Sequence, residues 1–329
     1  MSFTYLRNRT MMCFLVFIIA CGNINDTEFF DSSLPKTGRY PKVLAITPLL
    51  ADWVKQVGGE KIDLEILIPY SVDPHNYHPS PKDVTKINDA DLIFLIGLNY
   101  ESPALMKLFK NATLDDTNII NLGSQVNPIK FYSSSLSNND QHEDQHEDEN
   151  HHNYSYDPHF WFDPMRVALA IGEISTHLSL IDPDNKSRYL ESAQSYVLDL
   201  KQIDLEIRKS FEIIPKNKRT IMTTHESLGY LRDVYGINVL PAMMPSLSTD
   251  RELSPKNLVK MLNMINKYNI NIIFIESEVP SVAFEAIFKE EGVKLVKGIW
   301  SETLQNNETY ADFILNNVSI IVSNLSEKK

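Results

Sequence analysis

Short apolar runs alternate with amphipathic helical segments twice along this chain, and one long helical stretch separates the two rounds. That order constrains the fold more than any other feature. Strands spaced by helices pair in parallel, and a parallel sheet must be covered on both faces. In the first round, residues 43–47, 64–68, 91–97 and 118–122 read as strands. Helical patterns fall between them: one after Pro48 that is stopped by Gly58-Gly59, one over 81–90 and one over 103–109. The second round places strands at 219–224, 237–240, 270–276 and 293–296, with helices around 228–234, within 252–268, over 282–291 and over 308–325. The expected fold class is α/β: two similar lobes, each a roughly four-stranded sheet with flanking helices.

The stretch between the rounds is unusually long. Asp182-Pro183-Asp184 supplies an N-terminal cap and a proline in the first turn. Tyr189, Leu190, Ala193, Tyr196, Val197, Leu200, Ile203, Ile207 and Phe211 then recur in steps of three and four, and Pro215 ends the pattern. About 30 residues at ~1.5 Å each give roughly 45 Å. We read 184–214 as a rigid helix linking an N-terminal lobe, 41–183, to a C-terminal lobe, 215–329. A surface helix lying on one lobe is the competing description.

The N-terminus reads as a targeting segment. Arg7 and Arg9 precede an uncharged apolar run over 11–20, too short to span a bilayer but suited to a signal peptide covering 1–20. The run closes on Ile18-Ile19-Ala20-Cys21, which resembles a bacterial lipoprotein signal. Acylation of Cys21 would make 21–40 a tether. The expected location is the cell envelope, lipid-anchored to the bilayer on the extracytoplasmic or periplasmic face of a bacterial membrane. Cleavage there removes Cys13 and leaves Cys21 as the one cysteine, so the mature chain forms no intrachain disulfide. The net charge of −12 argues against nucleic acid as a partner. A chain of 329 residues is long enough for two domains.

Two local runs carry the chemistry. Asp73-Pro74-His75-Asn76-Tyr77-His78-Pro79 follows the second strand, and Asp157-Pro158-His159-Phe160-Trp161-Phe162-Asp163-Pro164 precedes a helical segment. Each repeats Asp-Pro-His with an aromatic close behind, which points to two similar stiff loops that each present an imidazole. Asp73 and Asp157 are either orienters of those rings or simple turn formers. His75 falls beyond a strand's carboxyl end, where α/β sheets bind ligands. A third imidazole, His225, follows the strand at 219–224. Between the two loops, 132–156 contains His142, His146, His151 and His152 among acidic residues. That composition builds no core and reads as a solvated loop or a weak, auxiliary metal-gathering tract. His78 reads as rim, and His177, on a helical pattern, as structural.

The two Asp-Pro-His runs, together with Thr224-His225-Glu226-Ser227-Leu228-Gly229-Tyr230-Leu231 and Tyr235-Gly236, resemble the zinc- and manganese-binding solute-binding lipoproteins of ABC metal importers. The resemblance spans about 40–325. It implies a metal site in the cleft between two lobes joined by one helix, with His75, His159 and His225 as ligands. It also implies a fourth, carboxylate ligand in a short motif before the last helix. Trp300-Ser301-Glu302 takes that place, with Glu where many members carry Asp; Glu276, Glu278 or water are the other possibilities. Three imidazoles and one carboxylate suit Zn2+, while Mn2+ prefers oxygen-richer sets. The implied function is a monomeric, non-enzymatic receptor that delivers Zn2+ to an ABC permease and its ATPase. A manganese receptor of the same type is the alternative. A zinc hydrolase is the reading from another class; the chain's His-Glu-x-x-His match, His142-Glu143-Asp144-Gln145-His146, falls in the polar, acid-rich tract and not on an apolar helical pattern, and there is no Gly-x-Ser-x-Gly elbow for a serine enzyme.

Overall fold

The structure, a computed structural model, describes residues 39–112, 118–131, 155–240, 255–278, 288 and 292–326. The signal segment, Cys21, nearly all of the tether, the tract carrying His142, His146, His151 and His152, and all but one residue of the helix expected over 282–291 lie outside them. No helix among the described residues is long and apolar enough to cross a membrane.

The first lobe is built on a four-stranded parallel sheet of order β2-β1-β3-β4. Its strands are β1 (Lys42–Ala45), β2 (Asp63–Ile66), β3 (Leu92–Leu95) and β4 (Ile119–Asn121). Strand β3 is buried at all four positions, as a central strand covered on both faces must be. Helices α1 (Pro48–Gly58), α2 (Pro81–Asp89) and α3 (Pro103–Ala112) make the crossovers. Each opens with proline in its first turn, where the missing N–H is not needed. From β1 the chain steps to β2 on one side, then returns to β3 on the other. The reversal opens a crevice beyond the strands' carboxyl ends. A short antiparallel pair, β5 (Lys130–Phe131) and β6 (Ser155–Tyr156), joins the described residues on either side of 132–154.

A 3-10 turn over Phe160–Phe162 leads into α4 (Pro164–Ile181), capped where Asp163 accepts a hydrogen bond from Met165 N. The long helix α5 (Lys186–Glu212) starts later than the sequence suggests. Pro183–Asn185 forms a separate 3-10 turn, and Asp182 accepts hydrogen bonds from Asn185 and from the Tyr189 hydroxyl. Asp182 therefore ties the turn to the helix instead of capping it. Helix α5 is not a free rod. Tyr189, Ala193, Tyr196, Leu200, Ile203, Ile207 and Phe211 form a buried stripe against α1, α4 and the closing helix α8 (Tyr310–Ser326). Near its start the Tyr189 hydroxyl lies 3.4 Å from the Lys61 carbonyl, and near its end Asp204 accepts from the Tyr235 hydroxyl.

The second lobe is a looser version of the same plan. Strand β7 (Thr220–Ile221) pairs in parallel with β8 (Asn238–Val239), and β9 (Ile272–Glu276) with β10 (Lys294–Ile299). The pairs meet where Phe274 N donates to the Met222 carbonyl at 2.9 Å. The strand expected over 219–224 is thus only two residues long in the ladder. Beyond it, Thr223 and Thr224 turn their hydroxyl and amide groups to the site. Helices α6 (Gly229–Tyr235) and α7 (Pro255–Tyr268) accompany these strands. Strand β10 bulges at Gly298, whose φ of 102° favours glycine.

Candidate metal centre

Four side chains converge from four separate loops. His75, His159, His225 and Glu302 each offer a ligand atom, and these atoms all lie within 4.8 Å of one another. His75 is 7% exposed and the other three are fully buried. His75 lies past β2, His225 past β7 and Glu302 past β10, all beyond the carboxyl ends of parallel strands. His159 opens the 3-10 turn before α4.

The two Asp-Pro-His runs fold alike. Asp73 Oδ1 accepts from His75 N at 2.9 Å, and Asp157 Oδ1 accepts from His159 N at 2.9 Å. The aspartates therefore do form turns. Asp157 is an orienter as well, because the same oxygen lies 2.8 Å from His159 Nδ1. A carboxylate there fixes the proton on Nδ1 and leaves the Nε2 lone pair facing the cluster. Asp73 also holds the Asn76 side-chain amide, at 2.9 Å. On the other lobe, Glu276 accepts from Thr224 N at 2.8 Å and from the Ser227 hydroxyl at 3.2 Å, and its Oε1 lies 3.2 Å from His225 Nδ1.

Glu302 faces all three rings. Its Oε2 lies 3.3 Å from His75 Nε2, and its Oε1 lies 3.2 Å from His159 Nε2 and 2.8 Å from His225 Nε2. His75 Nε2, His159 Nε2 and Glu302 Oε2 are buried, yet none has a partner in hydrogen-bond geometry. Leaving such atoms unpaired in the interior costs free energy, so their convergence on one point marks a place for a cation. The protonation equilibria agree. Burial pulls the His159 imidazole down, but the Glu302 charge and the Asp157 hydrogen bond outweigh it, and its pKa is pushed up to about 9. Burial opposes the charged form of His225 too, yet Glu276 and Glu302 hold it well above the usual imidazole range. For Glu302 burial works upward, and the charges of His159 and His75 keep it well below the usual carboxylate range. The site attracts positive charge strongly enough to overcome desolvation.

Of the reserve carboxylates, neither joins the donor set. Glu276 orients His225. Glu278 turns to the backbone, where its Oε1 accepts from Ser301 N and Glu302 N, both at 2.9 Å. Burial pushes Glu278 up to about 8. His78 is exposed, and His177 pairs loosely with Glu173 on α4 at 3.9 Å. Sequence reasoning did not find Tyr100, whose hydroxyl donates to the Glu302 carbonyl at 2.9 Å, or Gly229, which packs against Asp157. Tyr100 lies outside the runs that carry the resemblance; Gly229 stands within the run 224–231, but nothing there signals its contact with Asp157.

Two parallel α/β lobes that bury such a donor set define a metal-binding solute receptor of an ABC importer, not an enzyme. Residues 43–324 match the family model described as zinc-uptake complex component A, periplasmic, and the chain belongs to that family. It is similar to the high-affinity zinc uptake system protein ZnuA of Bacillus subtilis, with 28% identity over 321 residues covering 96% of each chain. It is also similar to the iron ABC transporter substrate-binding lipoprotein MtsA of Streptococcus pyogenes, with 27% identity over 267 residues and 80% of each chain. Among solved structures, the periplasmic zinc-binding protein TroA of Treponema pallidum shares the fold. Its TM-score is 0.74 at 23% identity, over 88% of this chain and 100% of that one. As the substrate-binding component of an ABC importer, the chain has the importer's permease and ATPase as its partners.

Proposed function

We propose that this receptor captures Zn2+ through His75 Nε2, His159 Nε2, His225 Nε2 and a Glu302 oxygen, and releases it to the permease. The spacing of the donors carries the reading. Zinc bonds of ~2.0–2.1 Å in a tetrahedron require donor separations of roughly 3.3 Å. Glu302 Oε1 lies 3.2 Å from His159 Nε2 and 2.8 Å from His225 Nε2, Glu302 Oε2 lies 3.3 Å from His75 Nε2, and the donor atoms all fall within 4.8 Å of one another, so a small contraction of the set completes the tetrahedron. A set with three nitrogens and one carboxylate favours zinc over manganese, which seeks oxygen-rich coordination. The relative named for iron keeps a second reading in view, since one family serves more than one metal. Metal analysis of untagged protein equilibrated with competing Zn2+, Mn2+ and Fe2+ tests the choice. One zinc per chain is expected, and retention of manganese or iron in preference would overturn it.

The same proposal includes a monomer anchored through acylated Cys21 at the extracytoplasmic face of the membrane, with α5 as the helix linking lobes 41–183 and 215–329. It also includes His142, His146, His151 and His152 as a weak gathering tract. Deleting 141–152 should leave the tight site intact and remove weaker additional binding.

A further inference from the structure

The short segment that carries Glu302 is gripped on both edges. On its N–H edge, Glu278 of the second lobe accepts from Ser301 N and Glu302 N. On its carbonyl edge the donors come from the first lobe. Trp161 Nε1 donates to Ser301 O at 2.8 Å, Tyr100 Oη to Glu302 O at 2.9 Å, and Ser71 N to Leu304 O at 3.3 Å. We propose that Tyr100 is a positioning residue for zinc capture: its hydroxyl latches the Glu302 peptide across the cleft, so that seating the 301–304 segment against the first lobe and placing the carboxylate are one event.

Several observations give Tyr100 this part. Its side chain is fully buried, and its ring meets His75 edge-on at 4.8 Å and Trp161 at 5.2 Å. It therefore packs its ring against one candidate ligand and holds another by its backbone. The loop that presents it is unusual. Gly97, Leu98 and Asn99 follow β3 with φ of 77°, 59° and 64°. Two consecutive non-glycine residues in the left-handed region cost free energy and persist where surrounding contacts dictate the conformation. Glu101, buried behind the loop, supplies those contacts by accepting from Ile96 N at 2.8 Å and Gly97 N at 3.1 Å. A phenylalanine at position 100 would keep the ring contacts; only the hydroxyl reaches the Glu302 carbonyl.

The inference rests on Glu302 being a zinc ligand, and the experiment separates the two. Zinc release from wild type, Tyr100→Phe, Tyr100→Leu and His159→Ala is followed by stopped-flow transfer to a fluorescent chelator, with association rates measured alongside. Tyr100→Phe should release zinc about three- to tenfold faster, the worth of one neutral hydrogen bond, with association unchanged. A merely structural tyrosine would lower the thermal midpoint without altering that rate. Unchanged release from Tyr100→Phe overturns the latch, even if Tyr100→Leu is faster, because ring packing alone would then hold the site. Wild-type zinc retention by His159→Ala would instead remove the zinc-site reading on which the latch depends.

Discussion

Gly229 lies directly against the carboxylate of Asp157, so that a Cβ at position 229 would run into Asp157 Oδ2. The contact joins the start of α6 in one lobe to the turn that carries His159 in the other. Tyr230, the next residue, strengthens it by donating to the Asp157 carbonyl at 2.7 Å.

Gly229→Ala should therefore reach the metal through two intermediaries. The methyl group displaces the Asp157 carboxylate, and the His159 ring loses the partner that fixes its tautomer. Orienting partners of this kind are worth about 10- to 100-fold in metal affinity. We expect Gly229→Ala and Asp157→Asn to weaken zinc binding to a similar degree in chelator competition. Gly236→Ala is the contrast. Gly236 has φ 67° with nothing within 4 Å of a Cβ, so it should cost about 1–2 kcal/mol of stability and leave zinc affinity unchanged. Equal zinc affinities for the Gly229 and Gly236 variants would refute the proposed route.

How much of this was legible in the chain depends on how local each signal is. His75 and His159 announce themselves because Asp, Pro and His act within three residues, and the resulting turn is the same in both places. His225 stands directly after the strand expected over 219–224, so its position at a strand end follows from the alternation. Glu302 is different. Its place came from resemblance, and its three imidazole contacts arise from residues 77, 143 and 227 positions away. Tyr100 carries no local signature, and the run 224–231 that includes Gly229 does not announce its contact with Asp157, since the importance of both depends on which loops the two lobes bring face to face. Strand β7 is short for a related reason. Thr224 N is bonded to Glu276 at 2.8 Å, so an amide that would extend the ladder serves the site instead.

Protons should compete with zinc in a definite pH window. The His159 pKa is raised from 6.5 to about 9 in the metal-free protein, so its ion pair with Glu302 stabilises the fold fully below pH ~6.5. That contribution is lost as pH climbs through about 9. Zinc needs the neutral ring, so its affinity should rise across the same interval while the metal-free thermal midpoint falls. Titration calorimetry in two buffers of different ionisation enthalpy would read the proton that His159 releases on binding, about one at pH 7 and falling to about half at pH 9. Binding without proton release at pH 7 would contradict the raised pKa.

His225 and Glu302 should differ in what they contribute. His225→Ala removes one of three nitrogen donors from a fully buried position and should weaken zinc strongly. Glu302→Ala should cost less, because water can take a fourth tetrahedral position. His225→Glu should lower the preference for zinc over manganese by adding oxygen to the set. Competitive titration of the three variants at one pH settles the order, and a larger loss for Glu302→Ala would reverse it.

Metal loading should move the lobes little. Helix α5 buries one stripe against α1, α4 and α8, lies against Lys61 near one end through Tyr189, and is hydrogen-bonded to Tyr235 near the other. A helix held along its length offers no paired flexible strands to act as a hinge, so wide closure of the kind seen in hinged receptors has no pivot here. The segment over 301–304 is the smaller element able to respond, because it is held by single hydrogen bonds from the first lobe. Solution scattering of metal-free and zinc-loaded protein should give nearly superimposable curves, while hydrogen exchange at Ser301 and Glu302 slows on loading. A large decrease in radius of gyration with zinc would show that α5 bends or that the lobes pivot elsewhere.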